Sequence, residues 1–367
     1  MSRLPEKNMI IVGDIAVPSP HHSEIFNSQL QKNSPVFKDK IVIGNLEGLI
    51  MDDCGMNNKK PILFNHSSMT HVLNHWNFSY VGLANNHTLD RPQCFEITAE
   101  WLKQKNIHYS GAGFSWQAAN QPAMLEMGDR LLIIFNHCWH VMLQHQNNPS
   151  CNVHVAIIDE EFILNQVAFY RQQYPESIIL IYPHWNFDLE IYPFPVHRIW
   201  SKHLIDAGAN MIVGGHSHCI QGGEQYKNGW IIYGIGNFFI PWYTFINGHI
   251  SFPDFAKIEL AIEWDFTNEP MLHFLKYNPD SGNHLLNHLS SEPFTTSSTF
   301  LQYSPYRDMT DHNYEMFFKK NRRKRKWVPV YYDYTSKFNN KVKDTLLITR
   351  IRIARKLAQY NLRNWNN

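Results

Sequence analysis

Short apolar runs that end in polar residues recur along this chain. Met9 to Val12 precedes Gly13 and Asp14, Ile41 to Ile43 precedes Asn45, and Tyr80 to Leu83 precedes Asn85. The pattern returns with Ile178 to Tyr182 before His184, Met211 to Val213 before Gly214, and Trp230 to Tyr233 before Gly236. Each run has the length of a buried strand whose C-terminal end delivers polar side chains. Helical patterns lie between them. The clearest is Val196, Ile199, Trp200, His203, Leu204 and Ala207, an i, i+3, i+4, i+7, i+8 stripe that Gly208 ends. Strands alternating with helices predict an α/β sheet, in which functional groups gather beyond the carboxyl ends of the strands. The polar residues at those ends are therefore expected to converge.

After Phe239 the pattern changes. Phe255 to Trp264 and Met271 to Tyr277, separated by the turn-like Thr267 to Pro270, predict a late hairpin packed on the sheet. Pro279 to Ser304 is rich in Ser, Thr, Asn and Pro and reads as a long loop. The 367 residues allow one large α/β domain with an appendage, or two of ordinary size. With 44% hydrophobic and 18% charged residues, composition excludes a disordered, collagen-like or disulfide-stapled chain. No apolar run approaches the roughly 18 residues of a membrane span. Arg3, Glu6 and Lys7 leave too few apolar residues before Asp14 for a secretory signal, so the expected address is the cytoplasm. Five cysteines without a CxxC fit reduced thiols.

The net charge of +1 conceals an asymmetry. Residues 319–367 hold 15 Lys and Arg against Asp333 and Asp344, a local +13, while the rest of the chain carries 18 basic and 30 acidic residues. An acidic body with a basic tail is expected to meet something anionic. Within the tail, Ile353, Leu357 and Tyr360 fall at helical spacing among Arg350, Arg355 and Lys356, which suits a surface-seeking amphipathic helix, whereas the Ile348 to Ile353 alternation suits a strand. Nucleic acid is the weaker expectation, since no nucleic-acid fold signature accompanies the charge.

Three local patterns carry chemistry. Gly214, Gly215, His216, Ser217 and His218 follow a strand directly, and two imidazoles at i and i+2 in a turn suit adjacent metal ions. Asn85, Asn86, His87 and Asp90 follow another strand; an Asn oxygen suits a metal, and a His oriented by a carboxylate can deliver a proton. Asp90 reads equally as a helix N-cap, with Gln93 completing a capping box before Phe95 and Ile97. Asp14 and Glu47 each follow a short strand, and with His184 they complete an acid, acid, amide and three-His set. A dinuclear site needs such a set, with one carboxylate able to bridge ions about 3.5 to 4 Å apart. His137 and His140 read as neighbours of that site or as surface residues, and His21 and His22 as loop residues.

At these residues the sequence resembles the metallophosphoesterase (calcineurin-like) superfamily and, within it, the CapA family associated with capsule and poly-gamma-glutamate synthesis. The resemblance runs over residues 9–243, through GDIAVP at 13, NLEGLI at 45, LANNHTLD at 83 and GAGFSWQAA at 111. It continues through HWNFDLEIYPFP at 184, LIDAGANMIVGGHSHCIQ at 204 and YGIGNFF at 233. It implies that Asp14 and His218 bind a first metal, that Glu47 bridges, and that Asn86, His184 and His216 bind a second. His87 would be the proton donor, with Asp90 beside it. One or two divalent ions (Mn, Zn or Fe) would be the cofactor, and a phosphate ester or anionic polymer the substrate. Gly111 to Gly113 matches the family, yet reads most simply as a glycine turn; Asn237 would orient a ligand or support the fold.

Three departures stand out. Where the wider superfamily places a His two residues after the first Asp, this chain has Ala16; Asn186 and Asp188 replace the family's Gly and Glu after His184-Trp185; and the membrane anchor of many CapA proteins has no counterpart here. The expected architecture is a metallophosphoesterase-like α/β fold of two packed mixed sheets flanked by helices over residues 1–278, a loop or linker over 279–318, and a basic extension over 319–367. The expected function is metal-dependent phosphoester hydrolysis in capsule or extracellular polymer (polysaccharide or poly-gamma-glutamate) biosynthesis. The alternative, favoured by Ala16, is a catalytically weak, metal-stabilised binding or assembly component. The tail is expected to allow peripheral contact with an anionic membrane at its inner face.

Overall fold

A computed structural model describes residues 8–52, 62–143, 152–245, 248, 250–279, 282, 284–323 and 328–359, with side chains described as far as 353. Four strands, β1 (Met9–Ile15), β2 (Ile41–Leu46), β3 (Phe78–Gly82) and β4 (His108–Ser110), run parallel in the first sheet. β5 (Ala112–Gly113) pairs with β8 (His154–Val155) in a separate ribbon. Between them in the chain, β6 (Ala123–Met127) and β7 (Arg130–Cys138) open the second sheet. β9 (Ile178–His184), β10 (Met211–Val213), β11 (Ile220–Tyr226) and β12 (Gly229–Ile235) complete it in the order β11-β12-β10-β9-β7-β6. The chain then returns to the first sheet with β13 (Asn237–Phe239), β14 (Ile258–Trp264), β15 (Met271–Asn278) and β16 (Leu285–Pro293). That sheet has the order β16-β15-β14-β1-β2-β3-β4, with β13 parallel to the end of β1.

The strand parity sets the layers, because successive side chains face opposite ways. Met9 and Ile11 of β1 and Ile41 and Ile43 of β2 face Leu132, Ile134, Leu180 and Met211 of the second sheet. Ile10, Val12 and Val42 face outward to Phe26 and Leu30 of α1 (Pro20–Lys32), past which α2 (Ser34–Phe37) leads into β2, and to Leu73 of α3 (Met69–His75) and Leu102 of α4 (Phe95–Gln104). Beyond the short α5 (Trp116–Asn120), Ile133, Ile179 and Ile212 pack under Ile163 of α6 (Glu160–Gln173) and Trp200 and Leu204 of α7 (Pro195–Asp206). Both faces of each sheet are thus covered, which is why the strands read as continuous apolar runs.

The predicted stripe forms α7, with Val196, Trp200 and Leu204 buried. The predicted hairpin forms too, but β14 starts only at Ile258, after a 3-10 turn at Asp254–Ala256, and it extends the first sheet beside β1. The segment expected as loop or linker, 279–318, instead carries β16, α8 (Ser298–Tyr303) and most of α9 (Asp311–Asn321). Its polarity is that of an edge strand, in which Leu286 is buried and most other side chains are not. Past α8, Tyr306, Tyr314 and Phe318 anchor the chain in the core beneath the second sheet. His21 and His22, expected in a loop, sit in the first turn of α1 behind the N-cap Ser19.

The basic extension is helical, not a strand, at Ile348 to Ile353: α10 spans Lys337–Gln359. It docks on the body through buried Leu347, through Asp344 to His140 and Tyr331, and through Lys337 to Glu161. Cys54, Cys151, Lys324 to Trp327, and the side chains of Arg355, Lys356, Leu357, Tyr360 and Arg363 lie outside the described residues. No helix among the described residues is long and apolar enough to cross a membrane.

Candidate metal centre

The strand ends converge as the sequence pattern requires. β1 delivers Asp14, the residue after β2 is Glu47, the turn after β3 carries Asn86 and His87, β9 ends on His184, and the turn after β10 carries His216 and His218. Nδ1 of His218 lies 3.4 Å from Oδ2 of Asp14, and Nδ1 of His184 lies 3.9 Å from Oδ1 of Asp14. Nε2 of His184 is 3.8 Å from Oε1 of Glu47 and 2.7 Å from Oδ1 of Asn86. Glu47, His216 and His218 offer ligand atoms that all lie within 4.8 Å of one another. All six residues expected as metal ligands therefore share one locus.

Local backbone geometry makes this possible. His216 and His218 both adopt positive φ (79° and 53°), which β-carbon-bearing residues rarely do, so the turn is bent to aim both imidazoles inward. Gly215 lies against two other ligands: a Cβ there would stand 3.3 Å from Oδ1 of Asp14 and 3.4 Å from Nδ1 of His184. At Gly13 a Cβ would stand 2.1 Å from the Gly236 carbonyl oxygen, so only glycine lets β1 approach β13 closely enough to place Asp14.

Supporting groups hold the ligands. Asn45 donates from Nδ2 to Oδ1 of Asp14 at 2.8 Å, and the His216 amide donates to Oδ2. Nδ1 of His218 bonds Oδ1 of Asn237 at 2.7 Å, which places Asn237 as an orienting partner. Nε2 of His216 is 3.1 Å from Oδ1 of Asp188, so the shorter acid that departs from the family pattern still reaches the site. Nδ1 of His87 bonds Oδ2 of Asp90 at 2.6 Å, leaving Nε2, 4.0 Å from Oε1 of Glu47, as the nitrogen that faces the carboxylates. Asp90 is thus the carboxylate that orients His87. It does not cap α4, whose N-cap position is Cys94, with no side-chain cap bond among the described residues.

The electrostatics call for a cation. Glu47 has no exposed surface, and neither of its carboxylate oxygens has a hydrogen-bond partner among the described residues. Burial, with Asp14, Asp188 and Asp90 adding to it, pushes the Glu47 carboxyl well above the usual carboxylate range. Burial likewise raises Asp14, against the opposing pull of His218. It also keeps His184 and His216 neutral, His216 being lowered to about 4. Neutral imidazoles beside buried, uncompensated carboxylates cost stability on their own and form a donor set suited to a divalent metal. The side chains present fit such an ion.

Three features escaped the sequence reading. Asn136, at the polar end of β7, accepts from the Ala84 amide and donates to the Tyr182 carbonyl, so it fixes the turn that carries Asn86 and His87. The strand-end pattern of Leu131 to Phe135 followed by Asn136 was the available signal. Glu259 of β14 is buried and raised well above the carboxylate range by burial and by Asp14; an acid inside the apolar run Ile258 to Trp264 marked it. Phe252 packs against His218 with ring centroids 5.1 Å apart and planes tilted by 46°, with no signal in the sequence. His137 is not a surface residue: it is buried against Phe135, with neither ring nitrogen hydrogen-bonded among the described residues. His140 faces α10 instead of the site.

Two mixed sheets packed face to face and flanked by helices, with carboxylates, an amide and imidazoles meeting beyond their strand ends, define a mixed α/β protein with a candidate metal centre. Residues 8–241 match the bacterial capsule synthesis protein PGA_cap family, and the chain belongs to it. The capsule biosynthesis protein CapA of Bacillus anthracis is 26% identical over 255 residues, which cover 63% of this chain and 59% of that protein. The PGA biosynthesis protein CapA of Bacillus subtilis (strain 168) is 25% identical over 220 residues, 58% of this chain and 56% of that one. The aligned region thus spans less than two thirds of these curated relatives. Among solved structures, a novel phosphatase of Mycoplasma pneumoniae superposes with a TM-score of 0.42 at 11% identity, covering 80% of this chain and 92% of its own. The NAD nucleotidase of Haemophilus influenzae gives a TM-score of 0.40 at 13% identity, covering 78% and 49%.

Proposed function

We propose that the chain is a metal-dependent phosphoric ester hydrolase serving the synthesis of a capsule or of poly-gamma-glutamate. The observation that carries this reading is Glu47, a fully buried carboxylate whose two oxygens have no hydrogen-bond partner among the described residues, close to His216 and His218. Asp14, Glu47 and His218 would hold one ion, and Glu47, Asn86, His184 and His216 a second. A divalent cation bound there supplies charge to neutralise phosphoryl oxygens and to activate water. The chain's own residues do the rest. Asp90 fixes the His87 ring and keeps a proton on Nδ1, so that a proton on Nε2 is directed to the departing ester oxygen. The loop from Trp185 to Glu190 is bonded to the turn that carries His216, and its Asp188 carboxylate reaches Nε2 of His216.

The second reading, a metal-stabilised assembly component with little turnover, is favoured by Ala16, which is fully buried and offers no ligand atom. Hydrolysis of an aryl phosphate diester by protein loaded with manganese, zinc or iron separates the two. His87→Asn is expected to keep its metal and to lose turnover by roughly 10² to 10⁴-fold when the leaving group needs a proton. Absence of any mono- or diesterase activity in the loaded wild type would favour the assembly component.

The outer face of α10 supports a location for this activity. Phe338, Val342, Leu346 and Ile353 are exposed along one stripe, with Lys341 and Arg352 beside it, and this face suits an anionic lipid surface.

A further inference from the structure

Arg323 belongs to the basic run beyond the family match, yet it meets the loop that is bonded to the turn carrying His216 and His218. Its backbone amide donates to Oε1 of Glu190 at 2.9 Å. Glu190 is itself buried and tied to the segment that carries His216 and His218: its carbonyl accepts from Nε2 of Gln221 and from Sγ of Cys219, while the neighbouring Leu189 amide donates to the Ser217 carbonyl. The Arg323 guanidinium lies 4.6 Å from the centroid of Phe255. Phe255 stands in the 3-10 turn just after Phe252, whose ring packs against His218 at 5.1 Å, tilted by 46°. Two separate paths, Glu190 to the His216 turn and Phe255 to His218, thus fix one arginine beside the ligands.

Arg198 is locked to Glu224, but among the described residues no carboxylate pairs with the Arg323 guanidinium, and its side chain is exposed. A guanidinium held over a ring spends no N–H group on a carboxylate there, and its fork of donors matches a carboxylate or a phosphate. We propose that Arg323 forms a second anion subsite, which takes a carboxylate or phosphate that the substrate carries in addition to the ester at the metal centre. This inference rests on the phosphoester reading above. It makes the preferred substrate at least doubly anionic and assigns part of that preference to a segment outside the family match.

Calorimetric titration of the full-length, manganese-loaded protein tests it without requiring turnover. Alkyl phosphonates of two to six carbons, which carry one anionic group, are compared with ω-carboxyalkyl phosphonates and α,ω-diphosphonates of the same lengths. In the wild type at least one length of two-anion ligand is expected to bind about 5-fold tighter than its one-anion partner, the scale of an exposed ion pair. Arg323→Gln should erase that ratio, and Arg323→Lys should keep part of it. A larger gain with carboxylate or with phosphate identifies the second anion and upholds the subsite in either case. If Arg323→Gln keeps the wild-type ratio, or the wild type has no preference at any length, the subsite is overturned. If the loaded wild type binds no phosphonate at all, the phosphoester reading itself fails.

Discussion

At Asp14, Glu47, His184 and His216 the chemistry was legible because each residue closes a short apolar run, and a strand buried on both faces places its next polar residue at the sheet's edge. What could not be read was the orientation of partners. Asn45 bonding Asp14, Asn237 bonding His218 and Asn136 bridging two strands depend on the packing of one sheet upon the other, which no local pattern encodes. His197 illustrates the cost of such packing. It stacks on Trp185 at 4.4 Å, is buried, and has its pKa lowered by burial from the ordinary 6.5 to about 3. A depressed imidazole leaves stability intact above pH 6.5, where it is neutral in folded and unfolded chains alike; stability is lost as pH falls toward 3, because only the unfolded chain takes up the proton. Between pH 6.5 and 5 this one group should cost about 2 kcal/mol. Urea unfolding at pH 7 and pH 5 checks it: His197→Phe should lose about 2 kcal/mol less than the wild type over that interval.

Among the elements, α7 was read correctly from its stripe, while α9 and β16 were not. α9 buries Tyr314 and Phe318 at i, i+4 spacing, but those two residues stand among Asp311, His312, Lys319 and Lys320, whose polarity obscures the pattern. β16 is an edge strand with one buried side chain, so its sequence resembles a loop. A buried charge pair fastens this late segment to the body. Arg198 of α7 meets Glu224 of β11 through two nitrogens, at 2.6 and 2.8 Å, and also reaches Asp311 and the Met309 carbonyl. Removing one member of a buried pair leaves the other charge uncompensated, so Glu224→Gln should lower unfolding free energy by roughly 3 kcal/mol or more. Chemical denaturation of the variant measures it, and limited proteolysis should show residues 304–323 released first.

For the whole molecule, the family match stops at residue 241, yet β14, β15 and β16 complete the first sheet and α9 covers the second. Among the described residues Tyr306, Tyr314, Phe318, Val328, Tyr331 and Leu347 share a core with the second sheet. The charge asymmetry was legible from composition, whereas its use was not: α10 turns Leu347 inward and Asp344 toward Tyr331 and His140, while its other face exposes Phe338, Val342, Leu346 and Ile353. With anionic vesicles the wild type should co-sediment, and with neutral vesicles it should stay in solution. A Phe338→Ser, Leu346→Ser double variant, which leaves Leu347 in place, should lose most of that binding. Equal partitioning of the two proteins would leave the stripe without a lipid role.

The metal centre is tested most directly by its metal. Elemental analysis of protein purified without a histidine tag, beside His184→Ala and His216→Ala, should find one or two equivalents of divalent ion in the wild type and a strong loss in each variant, since an imidazole missing from a buried chelate weakens the site. Metal content unchanged in both variants, or absent from a wild type incubated with manganese, zinc or iron, would contradict the assignment of Asp14, Glu47, Asn86, His184, His216 and His218.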